Sequence, residues 1–205
     1  MVNRVVYMDY IGDFIDHFEK NLLEDDENPQ LLAELFLQFR ENKKSYEYNK
    51  KAADLLYSIH RTEEALALYK EIIDGLLEKA KDPLEITILI DSVISYVPIA
   101  IYIKPPGDIL HIINETIPLA DKMENKRARV MLELCLGSLL QKQGKYLEAS
   151  PYYDRGWNLA QKIEDENLIK NAAKLYALSL FWQGRIKEAI QIYEENLGNI
   201  EDISP

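Results

Sequence analysis

The sequence predicts an all-α fold, a solenoid of stacked antiparallel helix hairpins, and three observations carry that prediction. The chain resembles itself at an offset of 40 residues, its apolar residues follow the helical period, and isolated glycines separate consecutive periodic segments. The offset places Ile109, Ile112, Ile113, Thr116, Ile117 and Ala120 onto Ala149, Tyr152, Tyr153, Gly156, Trp157 and Ala160. A second equal shift places Ala149, Ser150 and Tyr153 onto Ala189, Ile190 and Tyr193. All of these positions share one helical face.

Taken in order, the first helix is expected over 10–23, ending in the acidic run 24–27. Pro29 suits a first helical position and opens a segment over 30–40. Helices over 44–59 and 62–81 come next. In the latter, Ala65, Leu68, Tyr69, Ile72, Ile73, Leu76, Leu77 and Ala80 form a sustained apolar stripe, with Thr62 as the expected cap and Glu63 and Glu64 in the first turn. Asp82-Pro83 stops that helix and starts the next, over 84–103. Pro98 removes a backbone donor inside it, which predicts a kink or break near Val97. Further helices are expected over 108–123, 126–143, 146–163, 167–183 and 186–197, with local bends at Pro118 and Pro151. Gly144 and Gly184 occupy hairpin turns, where a backbone of positive φ favours glycine. Each is followed by a small residue, Ala149 or Ala189, and then by Tyr153 or Tyr193 as a wedge between helices. Tyr69 takes the same role earlier in the chain.

Composition narrows the function. With 205 residues, 47% of them hydrophobic, the chain can bury a core, and disorder is excluded. A net charge of −11 opposes nucleic-acid binding. The single Cys135 excludes an internal disulfide and fits a reducing compartment, so a cytoplasmic location is expected. The longest apolar region, 86–103, is interrupted by Asp91, Ser92, Ser95 and Pro98 and reads as a buried helix, so no membrane role is expected.

The motif pattern resembles the tetratricopeptide repeat (TPR). Leu136-Gly137 at the close-packing point of a first helix, Gln143-Gly144-Lys145-Tyr146 at the turn, then Glu148-Ala149 and Tyr153 match that repeat through most of its length. The stretch 185–193 is a second match, with Ala177 replacing the first-helix glycine, while Lys104-Pro105-Pro106-Gly107 and Ile109 mark a degenerate copy. The resemblance implies a right-handed superhelix over one domain, 1–205, with approximate repeats 30–60, 62–103, 105–143 and 146–183 and a final helix 186–197. A register of 40, against about 34 in the family, is similar to the helical sensor regions of bacterial STAND-type ATPase transcription regulators and cyclase-linked ATPases. The segments 44–48, 51–54 and 63–69 resemble the first repeats of such regions.

No residue set points to chemistry. The eight glycines are isolated, which argues against a phosphate loop, and His17, His60 and His111 sit on separate predicted helices without metal-ligand spacing. Carboxylate pairs such as Glu63-Glu64 and Glu194-Glu195 read as solvated helix faces, and Cys135 as a packing residue. No enzyme activity, cofactor or metal is expected. Binding is expected on the concave face that first helices line in stacked hairpins. By register, Met131, Leu134, Ser138, Gln141 and Lys142 face inward from one repeat, and Asn171, Lys174, Leu178, Phe181 and Trp182 from the next. Asp91, Ile94, Ser95 and Tyr102 come from the degenerate copy. Only Lys174 with Asn171 partly fits the carboxylate-clamp version of the resembled repeat.

The expected function is therefore a non-catalytic protein-interaction and effector-sensing module within a larger signalling or transcription-regulatory protein. Its expected partner is a protein or peptide segment, or a small effector. A stand-alone adaptor is one alternative. The other is a helical hydrolase or phosphatase-like regulator, which would need a histidine and two carboxylates in one pocket. The absence of a polar closing helix after 186–197 leads to a further expectation, self-association through an uncapped C-terminal face.

Overall fold

The computed structural model describes residues 45–198. Eight α-helices and no strand occur among them: α1 Ser45–Ser58, α2 Thr62–Leu76, α3 Pro83–Ala100, α4 Pro106–Lys122, α5 Lys126–Lys142, α6 Tyr146–Ala160, α7 Glu166–Trp182 and α8 Ile186–Leu197. The helices expected over 10–23 and 30–40, with His17, lie outside the described residues. Two compact units divide the chain between Gly75 and Leu76.

In the first unit, α1 and α2 are joined by a turn that uses no glycine. His60 takes φ 65, and the Arg61 amide donates to the Leu56 carbonyl at 2.8 Å. This closure leaves Arg61 at the head of α2: its carbonyl accepts from the Ala65 amide at 3.1 Å, and its guanidinium grips Glu64 at 2.5 and 2.6 Å. Thr62 is therefore the first helical residue, not the expected cap. The Tyr46 ring covers Gly75, and the buried Tyr69 donates its phenol proton to Asp54 Oδ1 at 2.6 Å.

Helix α2 ends at Leu76, short of the expected residue 81, and the Asp82-Pro83 pair then sets the start of α3. Asp82 is extended (φ −85, ψ 156), as the residue before a proline must be, and its carboxylate accepts from the Glu85 amide at 3.0 Å. Two prolines likewise reset α4, which begins at Pro106 instead of residue 108. The break expected at Val97 does not occur. Helix α3 continues through Pro98 to Ala100, and turns formed by Ile101 onto Val97 and Lys104 onto Ala100 finish it. Pro118 and Pro151 also lie within unbroken helices. Although α3 is apolar and long enough to cross a membrane, Ile86, Leu89, Ile90, Val93, Tyr96 and Val97 are among its buried core positions.

The second unit stacks α3 to α8. Helices α5 and α6 run antiparallel: Gln141 and Gly137 meet Tyr153, whereas Leu134 meets Gly156 nearer the far end. The next pair also runs antiparallel, Ser150 with Gln183 and Trp157 with Tyr176. Gly144 and Gly184 form the hairpin turns with φ 76 and 78. Helices α4, α6 and α8 begin at 106, 146 and 186, so the offset of 40 is the spacing of second helices. First helices keep it in space: Asn171 Nδ2 lies 3.6 Å from Met131 Sδ, and Lys142 Nζ 4.5 Å from the Tyr102 ring centre.

Gly137 lies against the ring of buried Tyr153, where a Cβ would come within 2.8 Å. That glycine sets how closely α5 and α6 approach. Asn125 and Asp165 cap α5 and α7 by accepting from the Ala128 and Leu168 amides at 2.9 and 3.0 Å, and Arg127 pairs with Asp165 across the repeat. Beneath this surface lies the carboxylate of Glu133, 1% exposed, between Arg129 Nη2 at 2.7 Å and Arg155 Nη2 at 2.9 Å. Arg129 also reaches Asp121 at 2.8 Å, so one network ties α4, α5 and α6 together. Tyr193, expected as a core wedge, is only half-buried, since it lines an open cleft on the last hairpin.

Candidate binding cavity

A cavity of about 590 Å3 opens between the C-terminal end of α3 and the faces of α5 and α7. Helix α3 contributes Val97, Pro98 and, just past its end, Ile101 and Tyr102; α5 contributes Met131, Leu134, Cys135, Ser138, Gln141 and Lys142. Asn171, Leu175 and Leu178 come from α7, with Tyr146 and Tyr153 from α6 behind them. The three first helices bring these residues together because they run parallel: Tyr102 just past the end of α3 meets Lys142 at the end of α5, and Asn171 near the start of α7 meets Met131 near the start of α5.

The floor is polar at one point. Tyr153 donates its phenol proton to Gln141 Oε1 at 2.6 Å and lies 3.3 Å from Ser138 Oγ. Burial pushes that phenol up to about 12 and the Cys135 thiol, also on the floor, up to about 12, so both are neutral and neither is a nucleophile at ordinary pH. At the mouth, the Lys142 ammonium sits over the exposed Tyr102 ring.

Of the residues expected on the binding face, Tyr102, Met131, Leu134, Ser138, Gln141, Asn171 and Leu178 line this cavity, as does Lys142. Asp91 and Ile94 do not; they lie on α3 one or more turns before its lining residues begin. Lys174, Leu178 and Phe181 line a second, almost wholly apolar cleft of about 310 Å3, together with Leu175, Ala177, Ala189, Ile190 and Tyr193. Trp182 lines neither. It stacks on Tyr146 at 4.9 Å and meets the edge of Phe181 at 5.6 Å, and both Phe181 and Trp182 are half exposed. Sequence reasoning missed Val97, Pro98 and Ile101, whose role depends on where α3 ends, the buried floor residues Cys135 and Tyr153, and the exposed Tyr146.

Among the described residues no group of three His, Cys, Asp or Glu side chains is placed to hold a metal. His60 occupies the first hairpin turn, and His111 lies on exposed α4 surface 3.9 Å from Glu115. Neither borders the cavity.

No family model matches the chain, and no curated protein sequence matches it. Solved structures do. Two crystal structures of a kinesin light chain candidate from Podosopora anserina, built of nearly identical TPR-like repeats, align with TM-scores of 0.66 and 0.63. Their identities to this chain are 11% and 13%, over 95% and 92% of both chains. BtubC (BKLC) from P. vanneervenii aligns with a TM-score of 0.56 at 11% identity, over 96% of this chain and 73% of its own. Together with the eight described helices, these likenesses show that the chain has the TPR-like repeat fold.

Proposed function

We propose that this chain is a non-catalytic module that docks a partner protein and senses a small effector. One observation carries the reading. The cavity is walled by a helix from each of three successive hairpins, and it shares Leu175 and Leu178 with the apolar cleft on the last hairpin. A ligand in the cavity therefore touches α7, one of the two helices that form the cleft, and its binding energy can bias how well that cleft accepts a partner.

The apolar cleft, flanked by half-exposed Phe181 and Trp182 and floored by Ala177 and Ala189, suits the apolar face of a partner helix. A second copy of the chain is another occupant of suitable chemistry. The wider setting, a sensor segment of a bacterial signalling or transcription-regulatory ATPase in the cytoplasm, rests on the 40-residue register and the motif resemblance. The hydrolytic alternative needs a histidine and two carboxylates in one pocket, and the described lining of both cavities contains neither residue type.

Selection of random helical peptides on the immobilised chain tests the docking role. Selected peptides should lose at least about tenfold in affinity on Ile190→Asp, since a charge would be buried against the apolar partner face. Peptides whose affinity is unchanged by Ile190→Asp and by Phe181→Asp would refute it.

A further inference from the structure

We propose that the cavity between α3, α5 and α7 binds a small amphipathic organic acid, one carboxylate on an apolar body. This names the effector and so rests on the sensing role above. The first argument is charge. The chain carries −11 overall, yet among the described residues the cavity lining contains no Asp or Glu and one lysine, Lys142. A chain with 35 acidic side chains keeps them out of this lining, as it does out of the apolar cleft, and here the lysine stands beside polar donors.

The second argument is the kind of polar group on offer. Lys142 can only donate hydrogen bonds. Gln141 has its carbonyl oxygen taken by Tyr153 at 2.6 Å, so its amide hydrogens are what it presents. Ser138 adds a hydroxyl on the same face of α5 as Gln141 and Lys142, three and four residues apart. These donors on one face of α5, one of them a cation, suit an acceptor-only anionic group, and a carboxylate is a small organic group of that kind. The C-terminal end of α5 is a poor place for an anion by itself, but the N-terminal end of α6 meets it at the Gly144 turn and offsets its partial charge.

The third argument is size and the remaining wall. A volume of about 590 Å3 falls within the range of about 300–1,000 Å3 typical of small-molecule sites. Val97, Ile101, Leu134, Leu175 and Leu178 supply the apolar wall for the body of the ligand. Lys142, held over the Tyr102 ring at 4.5 Å, stands at the mouth, which puts the carboxylate outermost and the apolar body inward.

Calorimetric titration of the full chain with octanoate and indole-3-butyrate, each beside its primary amide, tests this. The acids should bind at least tenfold more tightly than the amides. Lys142→Met should erase that preference by weakening the acids alone, whereas Lys187→Met, an equal charge change on exposed α8, should preserve it. Ser138→Trp should abolish binding of acids and amides alike by filling the cavity. Equal binding of acid and amide, a preference that survives Lys142→Met, or no binding of either acid would overturn the proposal. Acids that fail while selected peptides still bind Ile190 would sink this inference and leave the docking role standing. Acids that bind while no peptide does would leave this one and remove docking.

Discussion

Gly137→Ala should destabilise the second unit, even though the same change usually strengthens a helix. The added methyl would lie 2.8 to 2.9 Å from Cε1, Cδ1 and Cζ of Tyr153. The ring is 1% exposed and its hydroxyl is tied to Gln141 at 2.6 Å, so it can yield only by breaking that bond and shifting into the cavity it floors. Overpacking of this kind costs about 1–3 kcal/mol, and the lower entropy of the unfolded alanine chain returns about 0.4–1 kcal/mol. At mid-range, about 2 less about 0.7, the net loss is roughly 1.3 kcal/mol. With a urea slope of about 2 kcal/mol per molar, the midpoint should fall by roughly 0.5–1 M. Trp157, buried one turn beyond Tyr153, reports the transition locally once Trp182 is replaced by Phe. Gly107→Ala is the internal control: a Cβ there meets nothing within 4 Å near the start of α4, so that variant should gain stability. In a Tyr153→Ala background the cost of Gly137→Ala should vanish, because the ring that opposes the methyl is gone. A Gly137→Ala midpoint at or above that of the parent, or a cost that persists without Tyr153, would refute the claim that this glycine sets the α5–α6 distance.

Four further outcomes are expected of the same structure. Glu133→Gln should cost about 1.5–3 kcal/mol, the worth of a hydrogen bond to a charged group, since two arginines lose their shared anion; equilibrium unfolding measures it. Asp165→Ala, which removes the cap of α7 and the partner of Arg127, should cost about 1–2 kcal/mol by the same measurement. Stability should decline from about pH 9 upward. Cys135 and Tyr153 are raised to about 12 in the folded chain, so the unfolded chain loses these protons first and is favoured as pH climbs towards 12; Cys135→Ala should flatten the early part of that decline. Native Cys135 should resist a disulfide reagent at pH 8 and react once urea unfolds the chain, as thiol absorbance would report.

The parts legible in the sequence are those written with a period. The offset of 40, the turns at Gly144 and Gly184, the close-packing Gly137 and the wedge Tyr153 each reflect a backbone or steric demand that only one or two residue types meet, whereas the contact between Gly137 and Tyr153 shows only in the structure. The turns at His60 and Glu124 were located by the helices expected on either side, but their left-handed backbone was not legible, since both take positive φ (65 and 52) without glycine, at a cost that the surrounding hydrogen bonds sustain. Nor was the burial of Glu133. Helix α5 is covered by α3, α4, α6 and α7 on different sides and buries nine residues from Ala128 to Leu139, so it lacks a single apolar stripe against which an internal carboxylate would stand out. The inward face was read as if α3, α5 and α7 contributed at equal depth. In the structure α3 reaches the cavity only with its last turn and the residues after it, which separates Tyr102 from Asp91 and Ile94. Register names the side of a helix but not the height at which its neighbours leave a gap.

The stacking of Lys142 on Tyr102 and the approach of Asn171 to Met131 both join residues 40 positions apart, while hairpin packing is fixed elsewhere, by Gly137, Tyr153 and the Glu133 network. Packing within a hairpin and contact between hairpins are thus written at separate positions of one block. Residues 102, 142 and 182 are the same site in successive blocks and carry Tyr, Lys and Trp. Change at that single column would alter the contacts between neighbouring blocks and the mouth of the cavity, while the packing inside each hairpin stays where Gly137 and Tyr153 set it.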